Sequence, residues 1–152
     1  WLWLDGEAPL LYKQGGTRKP PKGDLGIGAV RPVAWQDGTH PNQEWLELKL
    51  RPGARAVRLE GWSIHGRNGT WPLPANAKVR PGRNYRVYSG EGRSGRRYGY
   101  LNADTDLYED DVDCPMLLDP SGEPVHMVLV GRAQESPCRR MLRELEKRRG
   151  IR

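Results

Sequence analysis

The residues of this 152-residue chain whose types could do chemistry are three histidines, two cysteines, one acidic run and one segment of mixed arginine and tyrosine. Catalysis needs titratable groups that converge, and the histidines do not. His40, His65 and His126 each stand alone in the sequence. His126 falls in the alternation Val125-His126-Met127-Val128, so it reads as a strand residue facing solvent rather than a base or ligand. Cys114, between Asp113 and Pro115, reads as a half-buried structural thiol, and no Cys–His nucleophile signature accompanies it. Cys114 and Cys138 can form at most one bridge, and two cysteines make neither a disulfide framework nor a zinc site. Asp104, Asp106, Glu109, Asp110, Asp111 and Asp113 offer oxygens to a hard cation, but the spacing of a calcium-binding EF-hand loop is missing. They read as a solvated acidic edge or a contact with a basic neighbour. Gly90 to Arg97 (GEGRSGRR) has the glycines of a phosphate loop without its Gly-Lys-Ser/Thr ending or its strand–loop–helix setting, and reads as a flexible basic hairpin tip. These residues imply no catalytic group, no metal and no cofactor. The expected class is a non-enzymatic protein without a small-molecule substrate.

Polyanion binding has a stronger signal. Arg93, Arg96 and Arg97 interleave with Tyr98 and Tyr100, cations beside rings that bases can stack on. Near the C-terminus Arg139, Arg140, Arg143, Lys147, Arg148 and Arg149 add six cations that could neutralise phosphates. The net charge of +6 is uneven: residues 132–152 contribute +5, while residues 35–131 carry twelve basic against thirteen acidic side chains. A net-negative body opposes a polyanion. Basic helix faces that only solubilise are also common.

The elements that must position these groups follow from composition and period. Only 36% of the residues are apolar, with 19 Gly and 13 Pro, which excludes a coiled coil and favours a loop-rich β protein. No apolar run approaches the ~18 residues of a membrane-spanning helix. Residues 1–33 read as an extended Gly/Pro-rich arm without regular elements. Its large groups, Trp1, Trp3, Leu4, Leu10, Leu11 and Tyr12, must nevertheless be buried on something. Residues 34–131 carry short alternating runs at roughly ten-residue intervals, separated by Pro/Gly turns, the pattern of an antiparallel sandwich. Within it, Trp62 is expected at the centre of the core and Trp45 and Trp71 at its rim. Residues 132–152 switch to helical period: Ser136 can cap, Pro137 can start, and Cys138, Met141, Leu142 and Leu145 make one stripe. The predicted fold is an all-β immunoglobulin-like sandwich with an N-terminal arm and a basic amphipathic C-terminal helix.

Four stretches of the sandwich segment resemble the lamin-tail domain family. Asn42-Gln43-Glu44-Trp45-Leu46-Glu47-Leu48 is similar to the family's opening strand. Val57-Arg58-Leu59-Glu60-Gly61-Trp62-Ser63-Ile64 is similar to its Gly-Trp strand. Val79-Arg80-Pro81-Gly82 through Val87-Tyr88-Ser89-Gly90 resembles its Pro-Gly turn and following strand. Leu117-Leu118-Asp119-Pro120-Ser121-Gly122-Glu123-Pro124-Val125 resembles its closing hairpin. The resemblance implies an immunoglobulin-like interaction module without catalysis, of the kind that contacts protein and DNA in nuclear lamins. Accessory immunoglobulin-like domains are also carried on phage virions. The expected function is docking onto protein subunits of a larger assembly, a virion component among the options. The docking surfaces would be the arm (Trp1, Trp3, Leu4, Leu10, Leu11, Tyr12) and the helix stripe (Met141, Leu142, Leu145). The alternative is nucleic-acid binding through the basic helix and the Arg/Tyr segment.

Overall fold

The computed structural model describes residues 10–13, 24–31, 44–103 and 112–148. Its elements in chain order are β1 (Leu10–Lys13), β2 (Leu25–Arg31), β3 (Trp45–Leu50), β4 (Val57–Arg58), β5 (Ser63–Gly66), β6 (Gly69–Pro72), β7 (Lys78–Val79), β8 (Tyr85–Tyr88), β9 (Tyr98–Tyr100), β10 (Val112–Asp113), β11 (Met116–Leu118), β12 (Pro124–Gly131) and α1 (Glu135–Arg148). The expected all-β sandwich with a C-terminal helix is what these elements build.

One sheet has the order β2-β3-β8-β9. Its strands alternate as strands with one face on a core must: Leu46, Leu48, Tyr85 and Val87 are buried, while Trp45, Glu47, Arg86 and Tyr88 are half-exposed. The second sheet has the order β1-β12-β11-β5-β6, with β10 also paired to β12. Ile64, Leu117, Val128 and Val130 meet Leu25, Ile27, Val30 and Leu46 in one inter-sheet core. The far face of the second sheet is apolar as well. Met116, Leu118, Met127 and Leu129 pack there with Cys138, Leu142 and Leu145 of α1. The layers therefore run sheet, sheet, helix. A disulfide between Cys114 and Cys138, 24 residues apart in sequence, ties the helix to the segment before β11.

Several expectations change. The arm ends earlier than residue 33, because β2 is a full sheet member with Leu25, Ile27 and Val30 buried. Its periodicity is hidden by a register shift between Ile27 and Ala29, which displaces the third apolar residue from the period-two position. β1 lies in the arm and pairs in parallel with β12, Leu10 opposite His126 and Tyr12 opposite Val128. His126 does not face solvent. It is 1% exposed, because β12 is covered on one side by the facing sheet and on the other by α1. Cys114 is fully buried and bridged rather than a half-buried thiol. Asp113 leaves the acidic edge: its buried carboxylate accepts the Cys114 N–H at 2.6 Å and the Arg67 N–H at 3.3 Å. The other acids of that run lie outside the described residues. Trp62 packs against the core from its margin, half-buried, not at its centre. Before it, Gly61 adopts φ +84°, and a Cβ there would come within 3.0 Å of Pro120; left-handed backbone and lack of space both require glycine.

Candidate nucleic-acid interface

A two-stranded ribbon, β4 with β7, sets Arg58 opposite Lys78 at the edge of the sandwich. The chain leaves β7 into the turn Arg80-Pro81-Gly82-Arg83, closed by the Arg83 N–H on the Arg80 carbonyl at 3.1 Å. Proline and glycine at the two central positions suit a tight turn, and Gly82 takes φ +78°. The turn thus holds Arg80 and Arg83 at its two ends.

The opposite wall is the segment whose composition suggests a hairpin tip. It is not one. β8 and β9 pair in parallel, with Arg86 opposite Tyr98 and Tyr88 opposite Tyr100. Parallel neighbours cannot be joined by a tight turn. Residues 89–97 must instead travel back along β8, and this return sets Arg96 and Arg97 beside the start of that strand, where the Arg86 N–H donates to the Arg97 carbonyl at 3.2 Å. The return path is fixed by its own bonds. The Gly95 N–H meets the Tyr98 carbonyl at 2.8 Å, and the Tyr100 N–H meets the Ser94 hydroxyl at 3.1 Å. Tyr85, buried beneath, donates its phenol to the Tyr98 carbonyl at 2.8 Å. Burial is the largest cause that pushes this phenol up to about 12, so at neutral pH it is a hydrogen-bond donor and carries no charge.

Between these walls lies a cavity of about 420 Å³ lined by Lys78, Arg80, Arg83, Asn84, Tyr85, Arg96 and Arg97. An adjoining cavity of about 840 Å³ shares Lys78, Arg80 and Arg96 and adds Arg58, Ser94 and Glu60. The two form one basic groove. Among the described residues, ion pairs engage Arg51 with Asp24, Arg86 with Glu47 and Arg139 with Glu135, and none engages the groove cations. Six positive side chains, Arg58 with the five around the first cavity, face the one carboxylate of Glu60, and their excess raises the local potential whatever the net charge of the body.

Beside the groove, the outer face of the sheet carries Trp45, Tyr88, Tyr98 and Tyr100. Arg86 lies 3.9 Å above the Trp45 ring and donates from Nε and Nη2 to Glu47, at 3.0 and 2.7 Å. Burial works against the Arg86 charge, but the Glu47 carboxylate outweighs it and raises the pKa. Arg86 is therefore fully engaged within the protein. Tyr88 and Tyr100 stack with ring centres 5.4 Å apart.

Of the sequence-predicted cations, Arg96 and Arg97 line the groove, while Arg93 is exposed on the return loop and lines neither cavity. Arg139 is bonded to Glu135, and Arg140, Arg143 and Lys147 are exposed on α1 without lining the groove. The side chain of Arg148, and Arg149 entirely, lie outside the described residues. Among the described residues, the helix cations and the loop cations do not line one site. Sequence reasoning missed Lys78, Arg80, Arg83 and Arg58. Their signal was a turn with a cation at each end, but nothing local shows that residues 80–83 face residues 96–97.

The helix stripe predicted as a docking surface is covered. Leu142 and Leu145 are buried on the chain's own sheet, with Met141 half-buried beside them, because the apolar far face of β11 and β12 has to be covered. They are not a free stripe. Leu10, Leu11 and Tyr12 belong to β1, which pairs with β12 of the same chain. Trp1, Trp3 and Leu4 lie outside the described residues. No protein family and no curated protein matches this sequence.

Proposed function

We propose that the chain is a non-enzymatic, lamin-tail-like interaction module that holds a nucleic-acid backbone in the basic groove. The observation that carries this reading is the ring of Lys78, Arg80, Arg83, Arg96 and Arg97 around one cavity, with no ion pair to any of them among the described residues. Carboxylate partners would have consumed their charge. Left unpaired on a fixed turn and a bonded loop, these cations can neutralise phosphates and release counterions. The stretches that resemble the lamin-tail family overlap β3, β4, β5, β8, β11 and the start of β12. Docking into a larger assembly, a virion included, has less to use on the helix, where Leu142 and Leu145 are already buried on the chain's own sheet.

Fluorescence anisotropy with labelled DNA over a salt series tests the reading. The log of the affinity should fall linearly with the log of salt concentration. An Arg80→Gln, Arg83→Gln, Arg96→Gln variant should weaken binding and flatten the slope by roughly 0.7 (single strand) to 0.9 (duplex) for each phosphate it no longer neutralises. Neutralising Arg140, Arg143 and Lys147 should change the slope less. An intact protein that binds no DNA at low salt would overturn the proposal.

A further inference from the structure

We infer that the groove selects single strands over duplex, with Tyr98 as the ring on which one base stacks; this deepens the groove reading and rests on it. Tyr98 is 44% exposed, at the outer edge strand of its sheet. A large ring left in water is held there by the structure around it. Tyr100 meets it edge to face, with centres 5.9 Å apart and planes at 84°, and Tyr100 is itself stacked on Tyr88. Gly95 borders it, at a spacing where a Cβ would make ordinary contact with the ring at 3.4 Å. A ring held in place in this way loses little freedom when a base covers it, so most of the stacking gain is kept.

Its position relative to the cations is the second observation. Tyr98 directly follows Arg97 in sequence; its ring stands on the outer face of β9 beside the groove and lines neither cavity, while its carbonyl is tied to Tyr85 in the groove wall. A phosphate held by Arg96 and Arg97 would leave its attached base within reach of the ring. The groove is also a recess between a turn and a loop, of a volume that suits one or a few nucleotides. One backbone can enter such a recess. A duplex offers two backbones on a convex surface and keeps its base faces stacked internally, so it can use neither the recess nor the ring. The other aromatics of this face are already occupied: Trp45 is covered by Arg86, and Tyr88 and Tyr100 cover one another. The expected site is therefore one base wide, unlike a multi-ring platform.

The test compares a labelled oligothymidylate, an abasic strand of equal length and an equal-length duplex, by anisotropy at one fixed salt concentration. The wild-type protein should bind the oligothymidylate tightest. Tyr98→Leu, which keeps apolar bulk without a π-face, should lose roughly five- to 150-fold on the oligothymidylate and nothing on the abasic strand or the duplex. Tyr98→Trp should retain binding. Duplex bound as tightly as single strand, or a Tyr98→Leu protein that binds oligothymidylate like wild type, would overturn the inference while leaving the groove standing. An equal loss on the abasic strand would also overturn it, because the ring would then be acting only through loop packing. Wild-type protein that binds none of the three probes would remove the groove reading itself.

Discussion

The Nδ1 of His126 accepts the backbone N–H of Ile27 at 2.8 Å, a bond that crosses from one sheet of the sandwich to the other. The donor sits where the register of β2 on β3 shifts, between Ile27 and Ala29. An irregular strand presents an amide to the core, and an imidazole from the facing sheet takes it. Both groups are sealed from water, His126 at 1% and Ile27 at 1% exposure.

His126→Leu should destabilise the fold by about 1–3 kcal/mol, the cost of leaving a buried donor without its acceptor. His126→Gln, whose side-chain carbonyl can accept the same N–H, should recover part of the loss. Urea midpoints of the three proteins check this. A leucine variant as stable as wild type would mean that the bond contributes nothing.

Tyr85 sets a limit at high pH. Its folded pKa of about 12 lies above its ordinary value of 10.0, so the folded state favours the neutral phenol. The stability it contributes is fully present below pH 10.0 and is lost as pH rises towards about 12. Tyr85→Phe should be less stable than wild type at neutral pH by about 0.5–1.5 kcal/mol, one hydrogen bond. The difference between the two proteins should shrink through that window, as read from urea midpoints at successive pH values.

The Cys114–Cys138 bridge closes a loop across 24 residues of sequence. Replacing both cysteines by alanine should cost about 3 kcal/mol, with the loss concentrated in α1. Amide hydrogen exchange should show the helix opening before the sandwich. Equal acceleration throughout would mean that helix and sheets unfold as one unit.

Gly99 is the tightest point of the parallel pair. A Cβ there would sit 2.6 Å from the Tyr85 hydroxyl and 2.7 Å from Pro74. Gly99→Ala should therefore cost about 1–3 kcal/mol by overpacking and weaken DNA binding, since β9 carries the loop that holds Arg96 and Arg97. Thermal melts and anisotropy on the same protein check both effects.

The strands that alternate cleanly were legible in the sequence, Trp45–Leu50 above all, because one face of each is wet. The helix is legible from its period, but an apolar stripe does not say whether a partner or the chain's own sheet covers it; here the sheet does. His126 in β12 is illegible for a physical reason: a strand buried on both faces gives no polar alternation, so a buried polar residue looks like a solvent marker. β2 was missed because Gly26, Gly28 and the register shift hide its period. The groove was half legible. Arg96 and Arg97 announce themselves as a cluster, but their meeting with Arg80 and Arg83 depends on parallel pairing of β8 and β9, a long-range choice that no local signal encodes.

The bridge at Cys138 also decides how the molecule would bear force. Cys138 lies in the first turn of α1, so a pull on the C-terminus can unravel the helix only back to that residue. The load then passes through the sulfurs to Cys114, beside β10 and β11, and bypasses the segment from β11 to the start of α1. Those strands are shielded from tension. What must yield next is the pairing of β10 with β12, anchored by the buried Asp113. Reduced protein would lack this stop, and the pull would peel β12 out of the sheet directly, taking the cover of both cores with it.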